Sequence, residues 1–583
     1  MSFLISFISM SKINIFALGG LQENGKNLYC VEVDSKIFIL DAGIKFPTSE
    51  LYGVDRIVPD ISYLEENKER IVGLFLTNGH VEHIGAAGML LERLSCKAYG
   101  SEFTMALVKD QLNSDNIRIN EDECLVVVND RSKIDFDSVS VRFFIVAHNI
   151  PGCLGVCIKT NDGNIIYTSD FSFDQNARVN YQRMYNNLTH FSKEGVLAML
   201  CESLGANNEA SRGTILEFKK RIQQIFISSN NRIIFSLFSG DLQRIQQIVN
   251  IAVSFNRKVA ILGRKTQRIV NQAMNLGYLK IPAELLVNLR FIDDKNKNDD
   301  KDLVVIVTGE RHEPYHMLQR MSKGIDRLIK MDKNDTVVVL TVPYLGTEKI
   351  AARTLDMIYK VTTKVKVFGA NLLPSPYATR EEIKEMINVL KPKYAIPVIG
   401  EYRHQYAFVT VADCVELQKD RVIILDNGDK ASFENGKYLG ICDDVAFGEI
   451  NIDGKQVGDV GDVVMRDREL LAEDGVVMII ANINPKSKKI ISGPEVVSKG
   501  FNFSAPDVDM MDLFQKDFIK VSLKYLVTKF IDWASYKNEL KNDVSRLIYK
   551  YTRRNPIIIP VLISTDVDSI KSKRNEKNVQ QVA

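Results

Sequence analysis

The chain has 583 residues, 45% of them hydrophobic, with 75 Lys and Arg against 73 Asp and Glu and a formal charge of +2. One hydrophobic core stops growing at roughly 250–300 residues, so this length calls for two to four packed units, and the apolar and charged fractions exclude a disordered or fibrous chain. So small a net charge also excludes a whole-molecule field that would draw in nucleic acid, and any polyanion must be met by a local patch. Eight cysteines without a Cys-x-x-Cys pair argue against a disulfide scaffold or zinc ribbon and fit a reducing cytoplasm.

The opening MSFLISFISM is apolar for fewer than ten residues and carries no basic residue ahead of that run, so neither a secretory signal nor a spanning helix is expected. Initiation at Met10 fits the sequence as well as initiation at Met1. No later segment reaches the ~20 uninterrupted apolar residues of a membrane span. From Ile13 to about Ile166, short β-branched runs between Gly, Asn and Asp turns predict strands of a layered sheet, with chemistry at the strand ends. From about Leu216 to Asn371 the rhythm changes. RIIFSLF, KVAILG, DLVVIVTG, TVVVLTV and KVKVFG alternate with helical segments, which predicts βαβ units and a mainly parallel sheet. Thr379 and Glu382 then form a predicted capping box before a helix and the strand YAIPV. A last unit from about Asp467 holds GVVMIIANI, two helical stretches around Asp507 to Tyr551, and NPIIIPVLI, as in a small α/β domain. The polar tail after Ile570 is expected to be disordered.

The segment LTNGHVEHIG, Leu76 to Gly85, joins an apolar strand to a helix expected near Gly85 and places Asn78, His80, Glu82 and His83 in the loop between. Such a loop can aim imidazoles and a carboxylate at one divalent metal, although surface or helix-cap histidines are an equally good account of this loop alone. Further candidates follow at strand ends: Asp41 in LDAG, His148 in IVAHNIPG and Asp170 in YTSDFSFD.

In that order these motifs resemble the metallo-β-lactamase fold. The resemblance narrows to the ribonuclease J family through LGGLQENGKNLYCVEV, DAGIKFPTSELYGVDRIVPDISYL, VTGERHEPYHMLQRMSKG, KPKYAIPVIGEYRHQYA and TRRNPIIIPVLI, which span Ile13 to Ile563. It implies an α/β chain: a metallo-β-lactamase αββα sandwich in two parts, residues 1–215 and 372–466, around an inserted β-CASP domain, 216–371. A small C-terminal α/β domain, 467–570, and the tail 571–583 follow, and Glu202 in LCESLGA falls at the first β-CASP acidic position. The resemblance further implies zinc, with manganese or magnesium as alternatives, and RNA as substrate. It implies 5′-to-3′ exonuclease action, with endonuclease action besides, in messenger RNA decay and ribosomal RNA maturation. A cytoplasmic homo-oligomer, or a hetero-oligomer with a paralogue, is the expected assembly, away from membranes.

In that family two metals polarise the phosphoryl group and activate water. Carried over, His80, His148 and Asp170 would hold the first metal, Glu82, His83 and Asp170 the second, and Glu82, His148 and Asp170 would carry the chemistry. Three departures weaken this. Asn78 stands where the first His belongs and is a weak ligand at best. Glu82 replaces Asp, adding about 1.5 Å of reach. Ile399 replaces the His of PVHGEYR and coordinates nothing. Each metal is one ligand short, so one or weak occupancy is expected, since three ligands and water can still hold zinc. The phosphate loop, where the family has Ser-Gly-His-Ala, reads LPSPYATREE here. Ser375, Tyr377 and Thr379 are its expected contacts, but Pro376 has no N–H to offer and Tyr377 is a neutral donor. His312 and His316 flank Glu313 at helical spacing, where the family has only a small turn. His190 and His404 read as surface or packing histidines. The basic runs at 486–489 and 552–556 could touch RNA phosphates, although solvated faces are the commoner explanation. The sequence thus points to an RNA-processing protein of weak cleavage, or alternatively to a non-catalytic RNA-binding or regulatory subunit beside an intact relative. A small-molecule hydrolase sharing only the fold is argued against by the insertion and the C-terminal unit.

Overall fold

The computed structural model describes residues 11–47, 53–173, 178–208, 213–291, 300–344, 346–442, 444–454, 461–501 and 509–565. The expected tail and both candidate start residues lie outside these. The described residues divide into two units, one ending at residue 454 and the other, apart from a short segment near 50, opening at 461.

The first unit is built on two facing sheets. An eight-stranded sheet runs in the order Lys437–Cys442, Lys430–Glu434, Lys12–Gly19, Leu28–Val33, Lys36–Leu40, Ile71–Phe75, Ala98–Gly100, Leu125–Val127. A six-stranded sheet runs Tyr394–Val398, Val196–Glu202, Gly163–Tyr167, Leu154–Thr160, Val139–Ile145, Lys133–Phe136. Side chains alternate across each strand. Ile13, Ile15 and Ala17 therefore enter the core between the sheets with Val141, Phe143, Val156 and Ile165, whereas Phe16 and Leu18 face the helix layer with Leu90, Leu94 and Phe103. The strand Leu28–Val33 is buried at every position, as a strand covered on both faces must be. The result is the αββα sandwich.

The chain leaves this sandwich after Val196–Glu202 and returns beside the same strand: Tyr394–Val398 pairs with it in parallel, Ala198 opposite Tyr394 and Glu202 opposite Val398. Lys430–Glu434 then joins the other sheet against Lys12–Ile15. Between departure and return lies a separate five-stranded sheet, Lys258–Leu262, Leu303–Gly309, Ile233–Phe238, Thr336–Val339, Val365–Val367, in which every pairing is parallel. Helices such as Leu242–Ser254 supply the crossovers that parallel strands require. At the start of the central strand, the Arg232 guanidinium grips Asp335 through Nε at 3.0 Å and Nη2 at 2.6 Å, both side chains being at most 3% exposed. Burial holds the Asp335 carboxyl above its ordinary range against the pull of that guanidinium.

The second unit packs two helices, Met510–Leu526 and Trp533–Thr552, on one face of a three-stranded sheet of Lys489–Lys499, Val476–Asn484 and Ile557–Ser564. Phe514, Phe518, Tyr536, Leu540, Val544 and Ile548 meet Val477, Ile479 and Ile483 there. Asp509 and Asp532 accept the first free N–H groups of the two helices. No helix among the described residues is long and apolar enough to cross a membrane.

Removing one partner of a buried, bidentate pair leaves an uncompensated charge. Arg232→Met should therefore cost about 3–5 kcal/mol in the urea midpoint, with much of it recovered in Arg232→Met/Asp335→Leu. A single substitution costing under about 1 kcal/mol would contradict this account.

Candidate active site

Most of the candidate metal-site residues sit just past the end of a strand. Asp41 follows Lys36–Leu40, Thr77 and Asn78 follow Ile71–Phe75, His148 follows Val139–Ile145, Ser169 and Asp170 follow Gly163–Tyr167, and Ile399 follows Tyr394–Val398. Asp41, Ser169 and Ile399 turn there through positive φ, 63°, 56° and 52°. For β-branched Ile399 this is a strained conformation. The helical turn after the loop begins at Val81, earlier than expected, and carries Glu82 and His83 on Val81–Ile84 before the chain continues into Ala87–Leu94.

His83 lies at the centre of a buried network. Its Nδ1 is 2.7 Å from Asp41 Oδ2 and its Nε2 is 2.8 Å from Asp170 Oδ2. Asp41 also accepts the Thr77 N–H at 2.8 Å, the Thr77 hydroxyl and the Tyr167 hydroxyl at 2.7 Å. Burial alone would favour neutral His83, but Asp170 and Asp41 outweigh it and raise its pKa well above the ordinary value. Burial opposes the charge on Asp170 as well, yet His83 beside it holds its carboxyl below the usual range. His148 goes the other way. Burial drops its pKa to about 3, with His80 and His83 adding to the fall and Asp170 resisting it. Burial, then Asp170, raise Glu202, which accepts the Ala378 N–H. Glu202 Oε2 and Asp170 Oδ1 each lack a donor, and a proton on Glu202 shared with Asp170 satisfies both.

The structure gathers His80, His83, His148 and Asp170, and turns Asn78 elsewhere. His80 and His148 meet edge to face, ring centroids 4.9 Å apart, while His80 Nε2 bonds Asn149 Oδ1 at 2.7 Å. Asn78 Oδ1 accepts the His80 N–H at 2.9 Å and its Nδ2 donates to Ser169 at 3.2 Å. Burial raises the hydroxyl of Tyr344 in the insertion, Arg311 opposes the rise and the half-buried Glu82 carboxylate adds to it. Ile399 is 1% exposed and packs in one cluster with Tyr29 and Tyr167, its N–H held by the Tyr29 hydroxyl at 3.1 Å. The insertion roofs the site: a Cβ on Gly240 would come within 2.7 Å of the His80 ring, and the Gln243 N–H donates to Asn149 O.

The expected phosphate loop is turned inward on itself. Ser375 Oγ accepts the Tyr377 N–H at 3.0 Å, and Thr379 caps the helix Arg380–Leu390 in the predicted box with Glu382. Tyr377 stands 6.4 Å from the His148 ring. Asn149, Arg244, Ser375 and Pro376 line a cavity of about 10 Å³. That is room for hardly more than one water. Sequence reading missed Asn149, Tyr167 and Arg244; only folding brings Arg244 to within 3.3 Å of Pro374 O, where its Nη1 is also paired with Asp241 at 2.8 Å. His312 and His316 lie apart on the insertion, His190 pairs with Glu194, and His404 Nδ1 accepts the Glu401 N–H.

An αββα sandwich opened between neighbouring strands by a parallel α/β insertion, with strand-end residues gathered beneath it, defines a metallo-β-lactamase-fold protein of the β-CASP type. Comparison with known proteins agrees: residues 22–207 match the Metallo-beta-lactamase superfamily, 230–358 the Ribonuclease J, beta-CASP domain, and 463–565 the Ribonuclease J C-terminal domain. The proteins named Ribonuclease J 2 from Staphylococcus epidermidis and Staphylococcus aureus are each 35% identical over 550 residues, covering 94% of this chain and 98% of theirs. The crystal structure of a protein of unknown function from Enterococcus faecalis matches with a TM-score of 0.50 at 13% identity, over 72% of this chain and 100% of that one, a likeness of fold alone. The chain belongs to the ribonuclease J family.

The metallo-β-lactamase fold implies divalent metal, and the donors present do not fit the paired site. Asn78 has its oxygen on a backbone N–H, Ile399 offers nothing, and both nitrogens of His83 face carboxylates. Among the described residues no three His, Cys, Asp or Glu side chains are arranged to hold a metal ion.

With seven histidines in the chain, ring-labelled NMR of chelator-treated protein can follow each one. His83 should stay protonated through neutral pH, and His148 should stay neutral down to a pH of about 3. The stability that His83 contributes should be complete below its unfolded value of about 6.5 and be lost as pH rises through its raised folded value. A His83 resonance titrating near 6.5 contradicts the pairing.

Proposed function

We propose that this chain is an RNA-processing protein of the ribonuclease J family that holds RNA but cleaves it weakly or not at all. The observation that carries this reading is Ile399, buried in a strained left-handed turn at the strand end from which the family presents its last metal-binding histidine. The turn is kept and the donor is gone. Electrostatics support the same conclusion. Hydrolysis of a phosphodiester requires positive charge aimed at the oxygens where negative charge grows. In this site the His83 imidazolium is set against the carboxylates of Asp41 and Asp170; one positive and two negative charges leave one negative, which opposes a phosphate. Ser375 and Thr379 spend their hydroxyls on local turns, and Arg244 is tied to Asp241 and Pro374.

Within this proposal the protein serves messenger RNA turnover and ribosomal RNA maturation in the cytoplasm, assembled with an intact ribonuclease J or with a second copy of itself. Zinc, or manganese in its place, is held at most singly and weakly. The competing reading, a working nuclease, draws on His80, His83, His148 and Asp170 standing in one cluster.

Purified protein should carry well below one equivalent of zinc or manganese. It should degrade 5′-monophosphorylated RNA at least about 10²–10³-fold more slowly than a relative with a complete donor set, the scale of losing a single aligned donor to the transition state. Rapid turnover abolished by His80→Ala would establish the nuclease reading instead.

A further inference from the structure

The second unit carries a basic and aromatic tip that the site beneath the insertion does not use. Its hairpin turn, residues 485–488, is built by Asn484, whose side chain accepts the Lys486 and Ser487 N–H groups at 2.9 and 3.0 Å. The turn presents Lys486 and Lys488, and Lys489 follows as the next strand begins. Lys488 Nζ donates to Thr528 O, which fastens the turn to the loop between the helices Met510–Leu526 and Trp533–Thr552. That loop holds out Phe530, 81% exposed, and Val527, 75% exposed. Lys529 Nζ lies over the Phe530 ring at 5.9 Å, and Lys524 closes the preceding helix.

We infer that this tip is a binding site for single-stranded RNA, a reading that rests on the proposed RNA-handling function. Exposed phenyl rings on soluble proteins carry a cost that a stacking base removes, since every nucleobase offers a π-face, and flanking lysines meet the phosphates on either side. The charge supports a polyanion: Lys486, Lys488, Lys489 and Lys529 gather at the tip with Lys524, and the nearby carboxylates of Asp532 and Glu539 are engaged. Asp532 accepts from the Ala534 and Ser535 N–H groups, and Glu539 pairs with Lys524 and accepts the Tyr525 hydroxyl. Thr528 braces the loop from inside, its hydroxyl 2.7 Å from Tyr525 O and 2.7 Å from Phe530 O, so the ring is displayed on an ordered turn. The apolar stripe of Ile519, Leu523 and Val527 that runs up to Phe530 could instead be covered by protein, and the experiment separates the two.

Binding of a 5′-monophosphorylated 30-nucleotide oligouridylate to the full chain should weaken about thirtyfold in Phe530→Ala, the middle of the range for losing one stacked base, and persist in Phe530→Trp. In Lys488→Ala/Lys529→Ala the slope of log affinity against log salt should fall by about 0.7 for each lost phosphate contact. A 4-thiouridine-substituted strand should crosslink to the peptide containing Phe530. Unchanged affinity and slope in these variants, with the unsubstituted chain still binding RNA, overturns the inference and leaves the RNA-handling reading in place. Unchanged affinity with a fall in sedimentation coefficient assigns the face to protein contact and overturns it equally. Failure of the unsubstituted chain to bind RNA removes both.

Discussion

The buried pairing of His83 with Asp41 and Asp170 is the constraint around which the rest of the centre is arranged. Two carboxylates in a closed interior cannot both stay ionised without positive charge beside them. In this chain the imidazolium supplies it, with Thr77 and Tyr167 completing the bonds to Asp41. That pairing accounts for the state of its neighbours. Burial keeps His148 neutral, with charged His83 adding to the effect, and burial together with charged Asp170 leaves Glu202 its proton. The electrostatic demand of the strand ends is thus met from within the polypeptide.

Much of this was legible in the sequence because it depends on local pattern. Alternating apolar strands, the βαβ rhythm of the insertion, the capping box of Thr379 and Glu382, and the succession of His80, His83, His148 and Asp170 at strand ends are all period and punctuation. The two-part sandwich came from the family resemblance, and the parallel pairing of Tyr394–Val398 with Val196–Glu202 gives it a physical form. What stayed hidden depends on direction. A sequence places Asn78 near His80, but that its amide oxygen accepts the His80 N–H while its nitrogen reaches Ser169 is settled only by folding. Arg244 and Asn149 share a cavity wall across a long stretch of chain that no spacing rule connects.

Ile399 shows how neighbouring bonds hold a backbone turn irrespective of the side chain it displays. An isoleucine at positive φ costs about 1–3 kcal/mol, which glycine or asparagine would relieve. The turn is nevertheless held by three bonds: its N–H meets Tyr29 Oη and Gly20 O, and its carbonyl accepts from Ser203. The first two contacts belong to the same tyrosine-lined floor that supports Asp41, so the turn is fixed by its surroundings and the side chain it displays is free to vary in chemistry. Burying that side chain against Tyr29 and Tyr167 returns apolar contact where a polar ligand would need a partner.

Under the proposed function, the same separation explains how a family scaffold outlives part of its donor set. Were the fold dependent on bound cations, removing ligands at Asn78 and Ile399 would leave Asp41 and Asp170 as uncompensated buried charges, a penalty large enough to unfold a marginally stable domain. A protonated histidine between them removes that dependence, and under the proposed function it does so at the cost of the catalytic field, because a charge already balanced by two carboxylates has little left to offer a phosphate. On that proposal stability and catalysis make opposite demands on one imidazole.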